Sequence, residues 1–210
     1  MSDTTTTVDP YNMKPQPLLL VVSGPSGVGK DSVVNRMQAR GVDFHFVVTA
    51  TSRDPRPGEK DGVDYFFVSK DDFEAMIAQN ELLEHAVVYG QYKGVPKQQV
   101  RDALKSGKDV VMRLDVQGAT TVKRLIPGAV LVFLSASSED ELIERLEKRK
   151  TEDHQQLRRR IETARAEMKQ IDRFDYVVIN EDDELDEAVN RVLDIIHAEH
   201  ARVHPRQVKL

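Results

Sequence analysis

The stretch LLLVVSGPSGVGKDSVV, Leu18–Val34, decides how the rest of the chain reads. Leu18–Val22 is apolar with no polar alternation, the mark of a strand buried on both faces of a parallel sheet. Gly24, Gly29 and Lys30 then satisfy the spacing G-x-x-x-x-G-K, and Val33, Val34 and Met37 open an amphipathic helix over Lys30–Arg40. Strand, glycine loop and helix in that order form a phosphate-binding loop. The glycines let successive backbone N–H groups turn toward phosphate oxygens, and the helix N-terminus adds partial positive charge. The expected phosphate contacts are Gly24, Pro25, Ser26, Gly27, Val28, Gly29, Lys30, Asp31 and Ser32. One position departs from the pattern. Asp31 stands where a hydroxyl ordinarily helps to hold Mg²⁺.

Working outward, four further apolar runs read as core strands: Phe44–Thr49, Asp109–Asp115, Ala129–Ser135 and Tyr176–Asn180. Helical periodicity lies between them, at Glu139–Lys148 and at Asp183–His200, where Leu185, Val189, Val192, Leu193 and Ile196 make an apolar stripe. Such alternation predicts a doubly wound α/β core, three layers deep, with a five-stranded parallel sheet. Two segments break it. Thr51–Pro96 carries two strand-like pieces around a short helix at Asp71–Asn80, an inserted lobe. Glu147–Ile171 is arginine-rich and poor in apolar residues, a mobile helical arm. The expected division is a lead-in over 1–17, core over 18–50, 97–146 and 172–203, the lobe over 51–96, the arm over 147–171, and a frayed tail over 204–210.

Composition narrows the function. At 210 residues the chain suits one compact domain with small lobes. A net charge of −5 argues against a general nucleic-acid binder, and local arginine clusters point instead to small anionic ligands. With no cysteine, disulfides and thiol chemistry are excluded, and the six histidines lack metal-ligand spacing. No apolar run approaches the ~20 residues that span a membrane. The polar N-terminus has neither secretory nor transit-peptide character, so a cytoplasmic location is expected.

The segment TATSRDPRPGEKDGVDYFFVS, Thr49–Ser69, followed by ELLEHAVVYGQYKGVP, Glu81–Pro96, resembles the guanylate kinase family. The likeness runs from Leu18 to about Ile196 and includes RLDVQG at Arg113–Gly118, the arginine-rich arm and the strand ending at Asn180. It implies a P-loop fold with a GMP-binding lobe and a helical lid. It also implies transfer of the γ-phosphoryl group of MgATP to GMP, with ATP and GMP as small-molecule partners of a monomer or homodimer. Arg53 and Arg56 match arginines that grip the GMP phosphate, suited to it by their planar, permanently charged forks, and Tyr65 matches a further donor. Glu84 matches the residue that reads guanine, where a carboxylate accepts from N1–H and the exocyclic amine together; Thr49 matches a hydroxyl on the base. Tyr92, Lys93 and Asp115 fall in the same GMP set. Arg145, Arg149 and Arg160 match the lid arginines that act in catalysis with Lys30 and Arg53. Asn180 falls beside adenine.

The likeness has departures. Lys93 and Val95 replace a tyrosine and a hydroxyl residue, which puts one base contact in doubt. Arg113 replaces the first acid of a D-x-D-x-Q-G motif. With a hydroxyl exchanged for Asp31 on the other side, the expectation is that Asp31 and Arg113 compensate, Asp31 pairing with Arg113 or serving the metal's water shell; Asp115 is the other acid within reach of the metal. Two other readings fit the scaffold less well: a peptide-binding module that has lost its chemistry, and a kinase for another phosphorylated substrate. Neither explains why Lys30, Arg53, Arg56 and Glu84 are retained together.

Overall fold

The computed structural model describes residues 16–88, 90–148 and 154–210. The run at the phosphate loop becomes β1 (Leu19–Ser23), and its residues show why no alternation was visible. Leu18, Leu20 and Val22 face one hydrophobic cluster, while Leu19 and Val21 face another on the opposite side of the sheet. Strand β8 (Val130–Ser135) divides likewise, with Val130, Val132 and Leu134 on the first side and Leu131 on the second. Each such side chain contributes roughly 1.5–3 kcal/mol on burial. With β2 (Phe44–Phe46), β7 (Asp109–Arg113) and β9 (Tyr176–Ile179) they form a five-stranded parallel sheet in the order β2-β7-β1-β8-β9. The expected three-layer α/β core is therefore present.

Helix α1 (Lys30–Ala39) packs Val33, Val34 and Met37 on the first face. Helix α5 (Glu139–Glu147) and α7 (Leu185–His200) cover that same face. The other face is covered by α3 (Lys97–Lys105) and α4 (Val116–Leu125), two helices that hydropathy alone did not single out. Because β1 is central, with β7 and β8 on either side, its loop opens at the carboxyl edge where the chain departs in both directions. Ligands of open α/β sheets bind at such an edge.

The run Phe44–Thr49 is not one strand. After β2 the chain leaves the core sheet and resumes as β3 (Ala50–Thr51) in a second sheet. The Gln99 side chain makes this exit tolerable by bonding both backbone groups of Val48, accepting from its N–H at 3.1 Å and donating to its carbonyl at 2.9 Å. The second sheet has the order β4-β3-β6-β5, with β4 (Phe66–Phe67), β5 (Leu82–Val88) and β6 (Gln91–Pro96). Helix α2 (Lys70–Ala78), capped by Ser69, buries Phe73 against it.

Two expectations need correction. Helix α6 (His154–Met168) lies in the segment read as a weakly packed arm, yet Ala164 joins the core, with Leu157 and Ile161 against it. Its few apolar residues share one face, and that suffices. Nor is the C-terminal tail frayed. Val208 packs on the second cluster. Arg206 donates to both oxygens of Glu199, at 2.7 and 2.8 Å, while the Tyr176 hydroxyl donates to Glu199 at 2.7 Å. The Glu199 side chain is fully buried in the core layer of α7.

The Arg206 bonds hold the Glu199 carboxyl below its ordinary range against the opposing effect of burial. This contribution to stability is therefore present at neutral pH and is lost in acid as Glu199 protonates. Removing Arg206 leaves a buried carboxylate short of its cation. Arg206→Ala should lower the unfolding free energy by about 3–5 kcal/mol in urea titration. Arg202→Ala, which removes a half-exposed partner 3.6 Å from the same carboxylate, should cost no more than about 1 kcal/mol.

Candidate active site

The phosphate loop is shaped by a backbone contact. Gly24 has φ of 135°, and a Cβ built on it would lie 2.1 Å from the Leu134 carbonyl oxygen of β8. Only glycine lets the loop turn there. Lys30, at the start of α1, folds back to donate to the carbonyls of Gly24 and Pro25, at 2.7 and 2.8 Å. Burial pulls its ammonium down to about 8, an effect that the charges of Glu167 and Asp31 oppose.

A cleft of about 690 Å³ opens from this loop and runs to the second sheet. Of the residues expected to hold a triphosphate, Gly24, Ser26, Gly29, Lys30, Asp31 and Ser32 line it. Pro25, Gly27 and Val28 form the back of the loop and do not: Gly27 abuts Leu142 and Leu146, and Val28 is buried in the first cluster. Asn180 lies behind the loop, its amide donating to the Val28 carbonyl at 2.9 Å. Its part is to brace the loop from β9.

At the far end stand Thr49, Arg53, Arg56, Tyr65, Glu84, Lys93 and Asp115, seven of the eight residues expected to hold a nucleoside monophosphate. Arg53 is nearly buried and forks onto Glu59, at 2.6 and 2.7 Å; this bond raises its pKa beyond the ordinary arginine value. Its guanidinium lies 4.8 Å from the centre of the Tyr65 ring. The eighth residue, Tyr92, turns away. Its ring stacks on Phe73 at 5.0 Å and its hydroxyl donates to Glu74, because that face of β6 closes the small lobe's own core. Val95, two residues after Lys93, is fully buried in the second cluster, so the hydroxyl missing there faces no cleft.

The RLDVQG motif acquires a physical meaning. Asp115 caps α4 by accepting from the Gly118 N–H at 2.8 Å. A Cβ on Gly118 would fall 3.0 Å from a carboxylate oxygen of Glu84. The glycine thus makes room for Glu84 on the cleft floor. Burial there, with the Asp115 charge adding to it, pushes the Glu84 carboxyl up to about 8. Burial likewise draws the Lys93 ammonium below its usual range.

Of the arm's arginines, Arg160 lines the cleft, together with Arg159, which the sequence did not single out. Arg145 does not line it: it is paired with Glu141 and with Asp182 at 2.8 Å, and donates to the Asn180 carbonyl. It fastens α5 to the end of β9. Arg149 lies outside the described residues. Glu167, on the last turn of α6, was not singled out; its carboxyl faces the Ser26 N–H and the Lys30 ammonium, and burial raises its pKa. No sequence motif marks it, since it reads as one more helix glutamate. Among the described residues no three His, Cys, Asp or Glu side chains group as a metal site, and no helix is long and apolar enough to cross a membrane.

The guanylate kinase family profile matches residues 16–199. The chain is 52% identical over 208 residues to guanylate kinase 2, chloroplastic/mitochondrial, of Oryza sativa, covering 99% of this chain and 73% of that protein. It is 44% identical over 192 residues to the guanylate kinase of Latilactobacillus sakei, covering 91% and 93%. The crystal structure of guanylate kinase from Anaplasma phagocytophilum superimposes with a TM-score of 0.75 at 29% identity, over 90% of this chain and 89% of that one.

The depressed Lys30 ammonium can be measured directly. Amine labelling followed by peptide mass spectrometry should show Lys30 titrating near pH 8, below the chain's surface lysines. Glu167→Gln removes a charge that favours the ammonium and should move this midpoint lower.

Proposed function

The chain belongs to the guanylate kinase family, and on that premise we infer that its cleft transfers the γ-phosphoryl group of ATP to GMP, giving ADP and GDP. The observation that carries this reading is that Lys30, at the phosphate loop, and Glu84, on the far floor, line one continuous cleft with Arg53, Arg56 and Tyr65. A donor and an acceptor nucleotide can therefore meet within it.

On this reading the loop amides and Lys30 hold the donor's terminal phosphates. Arg53, steadied by Glu59, acts with Arg56 and Tyr65 on the acceptor phosphate. Glu84 and Thr49 read the guanine edge, and Lys93 and Asp115 complete the acceptor end. Adenine presents a lone pair at N1 and no amine at C2, so a buried Glu84 carboxylate facing it would go unpaired, at a cost of about 1–3 kcal/mol or more. The acceptor phosphate oxygen is already anionic, so no side chain need act as general base. The difficulty is charge. Two unit charges about 4 Å apart at an effective dielectric of ~20 interact by roughly 4 kcal/mol. Lys30, Arg53, Arg56, Arg159 and Arg160 offset that repulsion and fix the in-line approach. Arg145 would act less directly, by fixing the end of β9, and Arg149 keeps the lid role that the family likeness implies.

The residues fit a magnesium ion that arrives on the nucleotide. One Asp31 oxygen is taken by Arg113, at 2.9 Å, and one Asp115 oxygen by the Gly118 N–H, which leaves no protein cage but two carboxylates within the cleft to accept from the ion's waters. Mg²⁺ commonly keeps several waters and binds through phosphates and one or two carboxylates. When bound it would spread the charge of the transferring phosphoryl group. The protein would act as a monomer or a homodimer, each chain carrying one such cleft. We place the reaction in the cytoplasm, which cell fractionation would check.

ADP formation from MgATP measured in parallel with GMP, dGMP, AMP, UMP and CMP tests the reading. Turnover should require GMP or dGMP; none with GMP would leave a non-catalytic binding module, and a preference for AMP would remove Glu84 from its role. Lys30→Met should lower kcat by about 10²–10³. Glu84 must be ionised to accept from guanine, and the free carboxyl titrates at about 8. The KM for GMP should therefore fall as pH rises from 6 and level off above about pH 8. In Glu84→Gln that slope should vanish, apart from the substrate phosphate's own ionisation, with kcat/KM reduced about 10²-fold or more.

A further inference from the structure

Arg113 ends β7 with its side chain 5% exposed. A buried guanidinium needs compensation, and this one has partners from three segments. It pairs with Asp31 on the first turn of α1 at 2.9 Å. Its Nη2 donates to the Asp64 carbonyl at 3.1 Å. Its plane lies over the Tyr65 ring at 4.7 Å, with Phe46 of β2 at 5.5 Å. The second cation over the Tyr65 ring is Arg53, itself pinned by Glu59. Glu59, Arg53, Tyr65, Arg113 and Asp31 thus make one row in which two cation–ring contacts on Tyr65 are flanked by an ion pair at each end. The row crosses the cleft floor from the second sheet's loop to the helix that carries Lys30.

We propose that Arg113 is a positioning residue that couples the phosphate-loop half of the cleft to its acceptor half, holding Tyr65 in place from Asp31. Contacts of a cation with an aromatic face strengthen when both are withdrawn from water, and a buried cation deprived of its carboxylate is strongly disfavoured. Without the Asp31 charge, Arg113 turns toward other acceptors and Tyr65 loses one of its two supporting planes. A change on the donor side is then felt by the acceptor nucleotide, and by linkage the reverse holds equally. The row also explains why two unusual residues occur together: Asp31 replaces a hydroxyl in the loop, Arg113 replaces an acid in the RLDVQG segment, and either alone would leave a charge unmatched. The inference rests on the reading of the acceptor as GMP.

Calorimetric titration of GMP in the absence of ATP tests it, since Asp31 then has no direct part in the ligand's site. Asp31→Asn, at a half-exposed position, should weaken GMP binding about five- to tenfold. Arg113→Met should weaken it at least as much, and the double variant no further than Arg113→Met alone. A GMP dissociation constant within about twofold of the unaltered chain in Asp31→Asn overturns the proposal, as does a double variant whose loss is the product of the two singles. A lowered melting temperature with unchanged GMP binding also overturns it, because that marks a purely structural pair. Should Arg113→Met not fold, Asp31→Asn decides alone. Failure of the unaltered chain to bind GMP sinks the functional reading itself, a result distinct from binding that Asp31→Asn leaves untouched.

Discussion

The turn at Gly24, where the backbone leaves β1 and passes directly against the Leu134 carbonyl of β8, governs the geometry of everything around it. Strands β1 and β8 run side by side to Ser23 and Phe133, so the loop has no room to spread sideways. It must double over the sheet's carboxyl edge. That directs its amides and the start of α1 into the cleft, and it brings Lys30 back over the carbonyls of its own loop. Asn180, at the end of the neighbouring β9, then braces the loop from behind. One end of the phosphate loop is fixed by β1, buried on both faces, and the other by α1, packed on the first face of the sheet.

A second sheet set beside that edge turns a phosphate loop into a two-ended cleft. The cleft is crowded with ionisable groups taken out of water, and each meets the cost of burial differently. Lys30 and Lys93 lower their pKa values, Glu84 and Glu167 raise theirs, and Arg53 and Arg113, which cannot lose a proton, are matched by Glu59 and Asp31. Lysine and carboxyl groups can soften their charge while they wait for a substrate; guanidinium groups must be paired. This difference explains why the arginines carry carboxylate partners already in place.

The parts of the molecule that could be read ahead of the structure are those with a local signature. The five core strands, the loop spacing, and the apolar stripes of α1, α5 and α7 all repeat within a few residues. The acceptor residues were legible through family likeness, and seven of the eight line the cleft. Tyr92 failed because an aromatic on a two-faced strand looks the same from either side, and only packing against Phe73 chose the inner one. Arg145 looked like a lid arginine, but Glu141 and Asp182 hold it away from the cleft. The tail looked frayed because its anchor, Glu199, lies on a helix that seemed merely polar at that position.

By itself, then, the order of residues determined the sheet, the phosphate loop and the class of chemistry, since hydrophobic periodicity and fixed glycine spacing act over one strand or one turn. The tertiary structure alone decided which charges meet. Asp31 and Arg113 are far apart in the chain and become partners only because β7 lies beside β1 in the sheet. Gln99 ends a strand that apolar composition would have continued. Glu84 acquires its shifted carboxyl only where Gly118 lets it descend against α4. Pairing and burial depend on neighbours that are distant in sequence, and no local pattern records them.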